Sequence, residues 1–412
     1  MVYVLNINHQ PLMPCKEAKA RKLLKANKAK IVKREPFTIQ LLFECENETQ
    51  DITLGVDSGS KHIGLSATTK NKEIYSAEVE LRNDIVDNLS TRREMRRTRR
   101  NRKTRYRKTR FQNRAKSKCK GWLAPSIENK IQTHLRVIND IHKILPITKI
   151  IVETASFDVQ KIKNHDISNL DYQQGDQLGF WNVREYVLFR DNHICQHCNG
   201  KSKDNILNVH HLESRKTGGN APNNLITLCE TCHKKYHKGE IQLKHKRGQS
   251  FKDAAFMGVM RWNFYDKLKK IYPNVQMTYG YITKNTRIAN NLPKEHYIDA
   301  RCISGNPLAE PLGYYFYQKK VRCHNRRLHK MTICKGGIRL NSQASYEVKA
   351  FTLLDKVKYD SKEYFIFGRR KTGYFDIRTL SGEKVNKGSV NCNYLELIDI
   401  SKFLLTEKRL AL

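Results

Sequence analysis

The chain has 412 residues and carries 77 Lys and Arg against 40 Asp and Glu, a formal net charge of +37. That length accommodates several domains, each with its own core. No core needs so large a cationic excess. It favours a polyanionic partner, driven by phosphate neutralisation and counterion release, and no apolar run approaches the roughly 18 residues of a membrane-spanning helix.

The N-terminus, Met1-Val-Tyr-Val-Leu-Asn6, lacks a basic stretch followed by a hydrophobic signal segment. No lipidation motif is evident. The expectation is a soluble cytoplasmic protein with no membrane partner. The 11 cysteines agree. Four sit in two close pairs, and the rest (15, 45, 119, 302, 323, 334, 392) follow no framework spacing, so reduced thiols are expected.

Residues 1–50 read as a strand–helix–strand unit, with strands at 2–7 and 31–43 and a helix over 14–28 rich in Ala, Leu and Lys. Residues 51–81 predict a three-strand meander at 52–57, 62–68 and 73–81. A carboxylate, Asp57, ends its first strand. From Arg92 to Arg110, 12 of 19 residues are Lys or Arg. Arg92, Arg93, Arg96, Arg97, Arg99, Arg100, Arg102, Lys103, Arg105, Arg107 and Arg110 are the expected nucleic-acid contacts. Wound as a helix, the run is basic on every face and has no apolar stripe for a core. It reads either as a disordered basic tail or as a helix threaded through nucleic acid, with phosphates supplying the counter-charge. Its mid-chain position favours the helix.

Residues 126–145 form an amphipathic helix with Ser126 as expected N-cap, and 149–153 a buried strand ending on Glu153. A helix over 251–271, a strand over 275–282 and a helix over 294–303 follow. The last carries His296 and Asp299 one turn apart. Residues 305–412 read as β-rich, with strands at 346–357, 363–368 and 374–379 and a small barrel expected.

Two constellations carry chemistry. Cys195-Gln-His-Cys198 and Cys229-Glu-Thr-Cys232 are CxxC pairs. Each pair bites a metal from one short turn, and four thiolates close a tetrahedral, structural Zn2+ site. A plain zinc module is one reading of this spacing. His210-His211 between the pairs, a Gly218-Gly219 turn, Asn223-Asn224 and His233 after the last cysteine add a second. Together they resemble the ββα-metal, or HNH, nuclease pattern. There His211 is the general base on a water. His210 and His233 hold one Mg2+, and Asn224 orients His211 through its far nitrogen. His237, one turn on, stays open between a solvated helix residue and a metal role.

The second constellation is split along the chain: Asp57, Glu153, His296 and Asp299. Carboxylates at the end of a first strand, a later core strand and a final helix converge in RNase H-like nucleases. Their hard oxygens suit Mg2+, and Asp57, Glu153 and Asp299 are the expected ligands of two such ions.

Several segments resemble one family. Asn8-His-Gln-Pro-Leu-Met-Pro14 with Arg21-Lys-Leu-Leu-Lys25 resembles the PLMP domain of IscB proteins. Leu54-Gly-Val-Asp-Ser-Gly-Ser-Lys-His-Ile-Gly64 resembles their first RuvC motif, and the Arg92–Arg110 run their bridge helix. Ile150-Ile-Val-Glu-Thr154 and His296–Asp299 resemble the second and third RuvC motifs, with HNH inserted between. Val321-Arg-Cys-His-Asn-Arg-Arg327 is the last local match.

The resemblance implies an α/β multidomain protein. Its parts are PLMP (1–50), RuvC (51–81, 123–179, 246–304), bridge helix (82–122), HNH (180–245) and a C-terminal domain (305–412) that meets guide RNA and the target's flanking motif. It implies a transposon-encoded endonuclease carrying one long omega guide RNA and cutting double-stranded DNA beside a short motif. HNH would cut the guide-paired strand and RuvC the displaced strand. The competing readings are a guide-free HNH homing-type endonuclease and a nuclease-dead RNA-binding scaffold.

Overall fold

The computed structural model describes residues 1–101, 122–154, 179–180, 182–214, 219–248, 252–322, 331–333, 339–341, 345–400 and 404–411. They fall into two compact units, Met1–Ser156 with Phe256–Leu412, and Phe157–Ala255. The second interrupts the first in sequence.

The chain opens with β1 (Val2–Leu5), β2 (Pro11–Cys15), α1 (Glu17–Lys25), β3 (Ala29–Lys33) and β4 (Thr38–Leu41). They make a four-stranded sheet in the order β2-β1-β4-β3. Ala20, Leu23 and Leu24 of α1 pack with Val2, Val4 and Ile39 of the sheet. The sequence reading had two strands here and began the helix at Pro14. Pro11 and Pro14 disguise β2, but it is an edge strand, where a missing N–H costs little.

Next come β5 (Thr53–Ser58), β6 (His62–Thr68) and β7 (Glu73–Glu80), the expected meander. Helix α2 (Ile85–Asn101) starts ahead of the arginines. Arg92, Arg93, Arg96 and Arg97 on it are exposed, as a helix without an apolar stripe must be. The side chains of Arg99 and Arg100, and all of Arg102, Lys103, Arg105, Arg107 and Arg110, lie outside the described residues. Helix α3 (Pro125–His142) follows, then β8 (Lys149–Glu153). Ser126 is not the N-cap of α3. Ala124 holds that place without a side-chain bond, and Pro125, whose fixed φ suits the first helical position, starts the helix.

The interrupting unit contains α4 (Val183–Arg190), β9 (Leu207–His211), β10 (Leu225–Cys229) and α5 (Glu230–Lys238). Asn182 caps α4, its Oδ1 accepting from Arg184 N at 2.9 Å and Glu185 N at 3.0 Å. The strands pair antiparallel, with His211 opposite Leu225 and His210 opposite Ile226. Helix α5 follows β10 directly, a ββα order.

After α6 (Lys252–Ile271) come β11 (Val275–Thr278), α7 (Gly280–Ala289) and α8 (His296–Ile303). The expected strand over 275–282 stops at Thr278, and α7 was missed. The later strands are β12 (Tyr314–Lys320), β13 (Met331–Ile333), β14 (Arg339–Asn341), β15 (Lys356–Tyr359), β16 (Lys362–Arg369), β17 (Tyr374–Arg378), β18 (Val390–Asn391), β19 (Glu396–Asp399) and β20 (Leu404–Leu410).

The main sheet has seven strands in the order β11-β8-β5-β6-β7-β12-β20. β8 runs parallel to β5, β11 parallel to β8, and β20 antiparallel to β12. The last two strands correct the expectation of a separate domain over 305–412, because they belong to this sheet. Strand alternation sends Leu54 and Val56 to one face and Gly55 and Asp57 to the other. The first face packs on Ile131, Val137, Ile138 and Ile141 of α3 and on Met260, Phe264 and Leu268 of α6. Helix α8 lies against the second. A Cβ on Gly55 would overlap the Ala300 carbonyl, and one on Gly64 the His296 carbonyl. Only glycine admits so close an approach.

Strands β15 to β19 form a separate antiparallel sheet in the order β18-β17-β16-β15-β19, cored by Val357, Ile366, Phe375 and Ile377. Among the described residues no ladder joins β18 to β19, so the expected barrel is here an open sheet. No described helix is long and apolar enough to cross a membrane.

Candidate functional site

Parallel pairing of β5 with β8 sets Asp57 directly beside Glu153. The close approach of α8 then brings His296 Nδ1 to 2.7 Å from Asp57 Oδ2. One turn along, Asp299 pairs with Arg287 at 2.9 Å. The Thr283 hydroxyl donates to Glu153 Oε2. The sequence-predicted quartet therefore converges, and α7 adds Thr283 and Arg287, which sequence reading missed. Their spacing of one helical turn was the available signal, hidden because 275–282 read as a strand.

The charges here oppose one another. Burial, then the Asp57 charge, pushes the Glu153 carboxyl up to about 7 against the pull of the Thr283 hydrogen bond. Burial and Asp57 likewise raise Asp299, with Arg287 opposing. The hydrogen bond to Asp57 raises His296. Glu153 and Asp299, held above their ordinary range by burial and then by the Asp57 charge, are what a divalent cation would relieve, so this donor set fits a hard cation. Two neighbours escaped notice in the sequence. The His62 ring stacks on His296 with centroids 5.2 Å apart, and its Nδ1 lies 2.8 Å from Glu78 Oε1.

The second cluster lies in the interrupting unit. Alternation along β9 sends His210 toward α5 and His211 the other way. His210 is buried, with ring centroids 5.1 Å from His233 and 5.2 Å from His237. His233 Nε2 and His237 Nε2 are 3.3 Å apart. All three imidazoles offer a nitrogen within 4.8 Å of the others. Burial, then His233 and His237, lowers His210 to about 4, so it is neutral at pH 7 with a lone pair to give. Its Nε2 is buried with no hydrogen-bond partner among the described residues. An orphaned acceptor beside two further imidazoles fits a cation site. His237 thus lies with His210 and His233 in a cluster that could hold a metal ion.

His211 Nε2 lies 3.0 Å from Asn220 Oδ1. The expected partner, Asn224, does not reach it. Asn224 is fully buried and binds the loop instead: its Oδ1 accepts from Glu213 N at 2.9 Å, and its Nδ2 donates to Glu213 O at 3.1 Å and Gly219 O at 3.0 Å. It clamps both ends of the segment that delivers Asn220. A polar side chain with three backbone partners is committed to them.

The four thiols also gather. Cys195, Cys198, Cys229 and Cys232 place their sulfurs within 4.8 Å of one another, and none forms a disulfide. Cys229 doubles as the N-cap of α5, accepting from Cys232 N at 3.5 Å. Such a quartet could hold zinc.

Comparison with known proteins adds identity to this geometry. Residues 2–175 match the RRXRR protein family, and residues 195–239 match the HNH endonuclease family. Anaredoxin of Nostoc sp. is 43% identical over 51 residues, 12% of this chain and 60% of that protein. The chain thus spans about 60% of the length of the curated relative it matches. The Type II-C Cas9 enzyme from Actinomyces naeslundii aligns with 62% of this chain and 60% of its own, at 10% identity and a TM-score of 0.26, too low to bear on any residue. The chain thus carries an RRXRR-family segment followed by an HNH endonuclease domain, whose histidines and cysteines converge as described.

Proposed function

We propose that this protein is an RNA-guided endonuclease of double-stranded DNA, in which the HNH centre cuts the guide-paired strand and the carboxylate centre cuts the displaced strand. The observation that carries it is the presence, in one strongly basic chain, of two separately built clusters, one of carboxylates with His296 and one of histidines with four thiols in the same unit. The meander followed by two parallel strands, β11-β8-β5-β6-β7, supports reading the main sheet as a split RNase H-like (RuvC) core. The exposed arginines of α2 support its role as a bridge helix against omega RNA. One protein would hold one guide, and sequence choice would rest on base pairing beside a flanking motif. PLMP would span 1–50. RuvC would comprise 51–81, 123–179 and 246–304, extended by β12 and β20.

At the HNH centre, His211 takes a proton from the attacking water, while Asn220 holds the imidazole by its far nitrogen. His210, His233 and His237 would hold one divalent cation. At the carboxylate centre, Asp57, Glu153 and Asp299 would hold two, and His296 stands ready to accept a proton. A bound cation supplies an activated water and neutralises charge on the leaving oxygen. Zinc at the cysteine quartet would be structural.

The test is strand-specific end-labelling with matched target. His211→Ala should spare only the displaced-strand cut and Asp57→Ala only the guide-paired cut. If either change silences both strands while target binding persists, the division of labour is wrong. Sequencing RNA that copurifies with the protein tests the guide: a discrete long species is expected, and its absence favours a guide-free homing-type enzyme.

A further inference from the structure

On either side of Gly280, which lines the hollow over the carboxylate centre, stand two tyrosines that no role above uses. Tyr279 is 46% exposed and Tyr281 66% exposed. Their planes lie within 14° of each other and their centroids 6.1 Å apart. Together they present a patch of exposed aromatic surface. Gly280 between them closes the gap to the catalytic carboxylates. A Cβ on it would sit 2.8 Å from Glu153 Oε1, and each tyrosine is one Cα step, about 3.8 Å, from that glycine.

The hollow over these carboxylates is lined by Glu153, Gly280, Thr283, Lys284, Arg287, Lys294 and Asp299, so the two tyrosines adjoin it through Gly280. Lys284 and Lys294 are exposed. A surface that joins parallel aromatic faces to cationic side chains is suited to an unpaired nucleic-acid strand. Every base has a π-face to stack, and the phosphates meet the lysines. A duplex offers no such faces, because its bases are already stacked.

We infer that Tyr279 and Tyr281 form a stacking platform for unpaired nucleobases, which seats single-stranded DNA across the carboxylate centre. The occupant is the strand to be cut there, so the inference rests on the nuclease reading of that centre. The tyrosines are positioning residues. They fix which phosphate lies over Asp57, Glu153 and Asp299, and they hand over no proton.

The test uses the full chain with its copurified RNA. A short single-stranded oligodeoxynucleotide containing 2-aminopurine reports stacking by quenching. One stacked base is worth roughly 5- to 150-fold in affinity. Tyr279→Ala with Tyr281→Ala should therefore weaken binding at least about tenfold and abolish the quench. On matched duplex, that pair should raise KM for the displaced-strand cut and scatter its position, leaving the guide-paired cut unchanged. Tyr279→Phe with Tyr281→Phe should behave as wild type, since the ring faces remain. Leucine at both sites should behave as alanine. If leucine restores function as well as phenylalanine, the pair serves packing and the inference falls. It falls also if alanine leaves binding and quench intact, or if both strands lose cutting together. Should the guide reading itself fail, no variant will show strand-selective cutting, yet the oligonucleotide quench will still score the tyrosines.

Discussion

Replacing Glu153 with Gln isolates the electrostatics of the carboxylate centre. In the cation-free protein the Glu153 carboxyl is raised from an ordinary 4.5 to about 7, chiefly by burial and secondly by Asp57. At about 1.4 kcal/mol per pH unit, the ionised form carries a penalty of at most roughly 3 kcal/mol. The sign follows from linkage. The native state holds this proton more tightly than the unfolded chain, so its stabilising effect is complete below about 4.5 and is lost as pH rises to about 7. Gln keeps an oxygen to accept from Thr283 and never ionises. In chelator, calorimetric melting should show Glu153→Gln level with wild type near pH 4.5 and above it at pH 8, by on the order of 3–6 °C. Mg2+ should reverse that order, because cation binding repays the repulsion only where the carboxylate remains. The reasoning is refuted if the variant keeps the wild-type pH slope, or if Mg2+ raises both melting points equally.

Cys198→Ser should release zinc, measured by elemental analysis, and melt the HNH unit while RNA binding persists; zinc-free active protein would contradict the quartet's assignment. Asn224→Ala should destabilise that unit by about 1–3 kcal/mol, since it orphans three backbone groups. Asn220→Ala should leave melting unchanged but slow the guide-paired cut, because it removes only the hydrogen bond to His211. Neutralising Arg92, Arg93, Arg96 and Arg97 together should flatten the log–log salt dependence of RNA binding by up to about three units, read by filter binding. Gly64→Ala should destabilise the main unit by roughly 1–3 kcal/mol and uncouple His296 from Asp57, because a Cβ there meets the His296 carbonyl.

What the sequence by itself determined is local. Period-two alternation marked β5, β6 and β7, the apolar stripe marked α3, and the CxxC pairs marked the thiol quartet, since each is written within a few residues. Asp57 at a strand end and His296 with Asp299 on one helical turn were legible for the same reason. Tertiary structure alone decided who meets whom. Asp57 touches His296 because Gly55 and Gly64 let α8 press against the sheet, a steric fact spread over more than two hundred residues. Asn220 rather than Asn224 partners His211 because loop closure, and not sequence proximity, consumed the Asn224 donors and acceptor. His62 and Glu78 stand beside the centre only because β6 and β7 pair in that register. Strands β12 and β20 left the C-terminal region for the main sheet because hydrogen-bond pairing, unlike periodicity, is set by partners elsewhere in the chain.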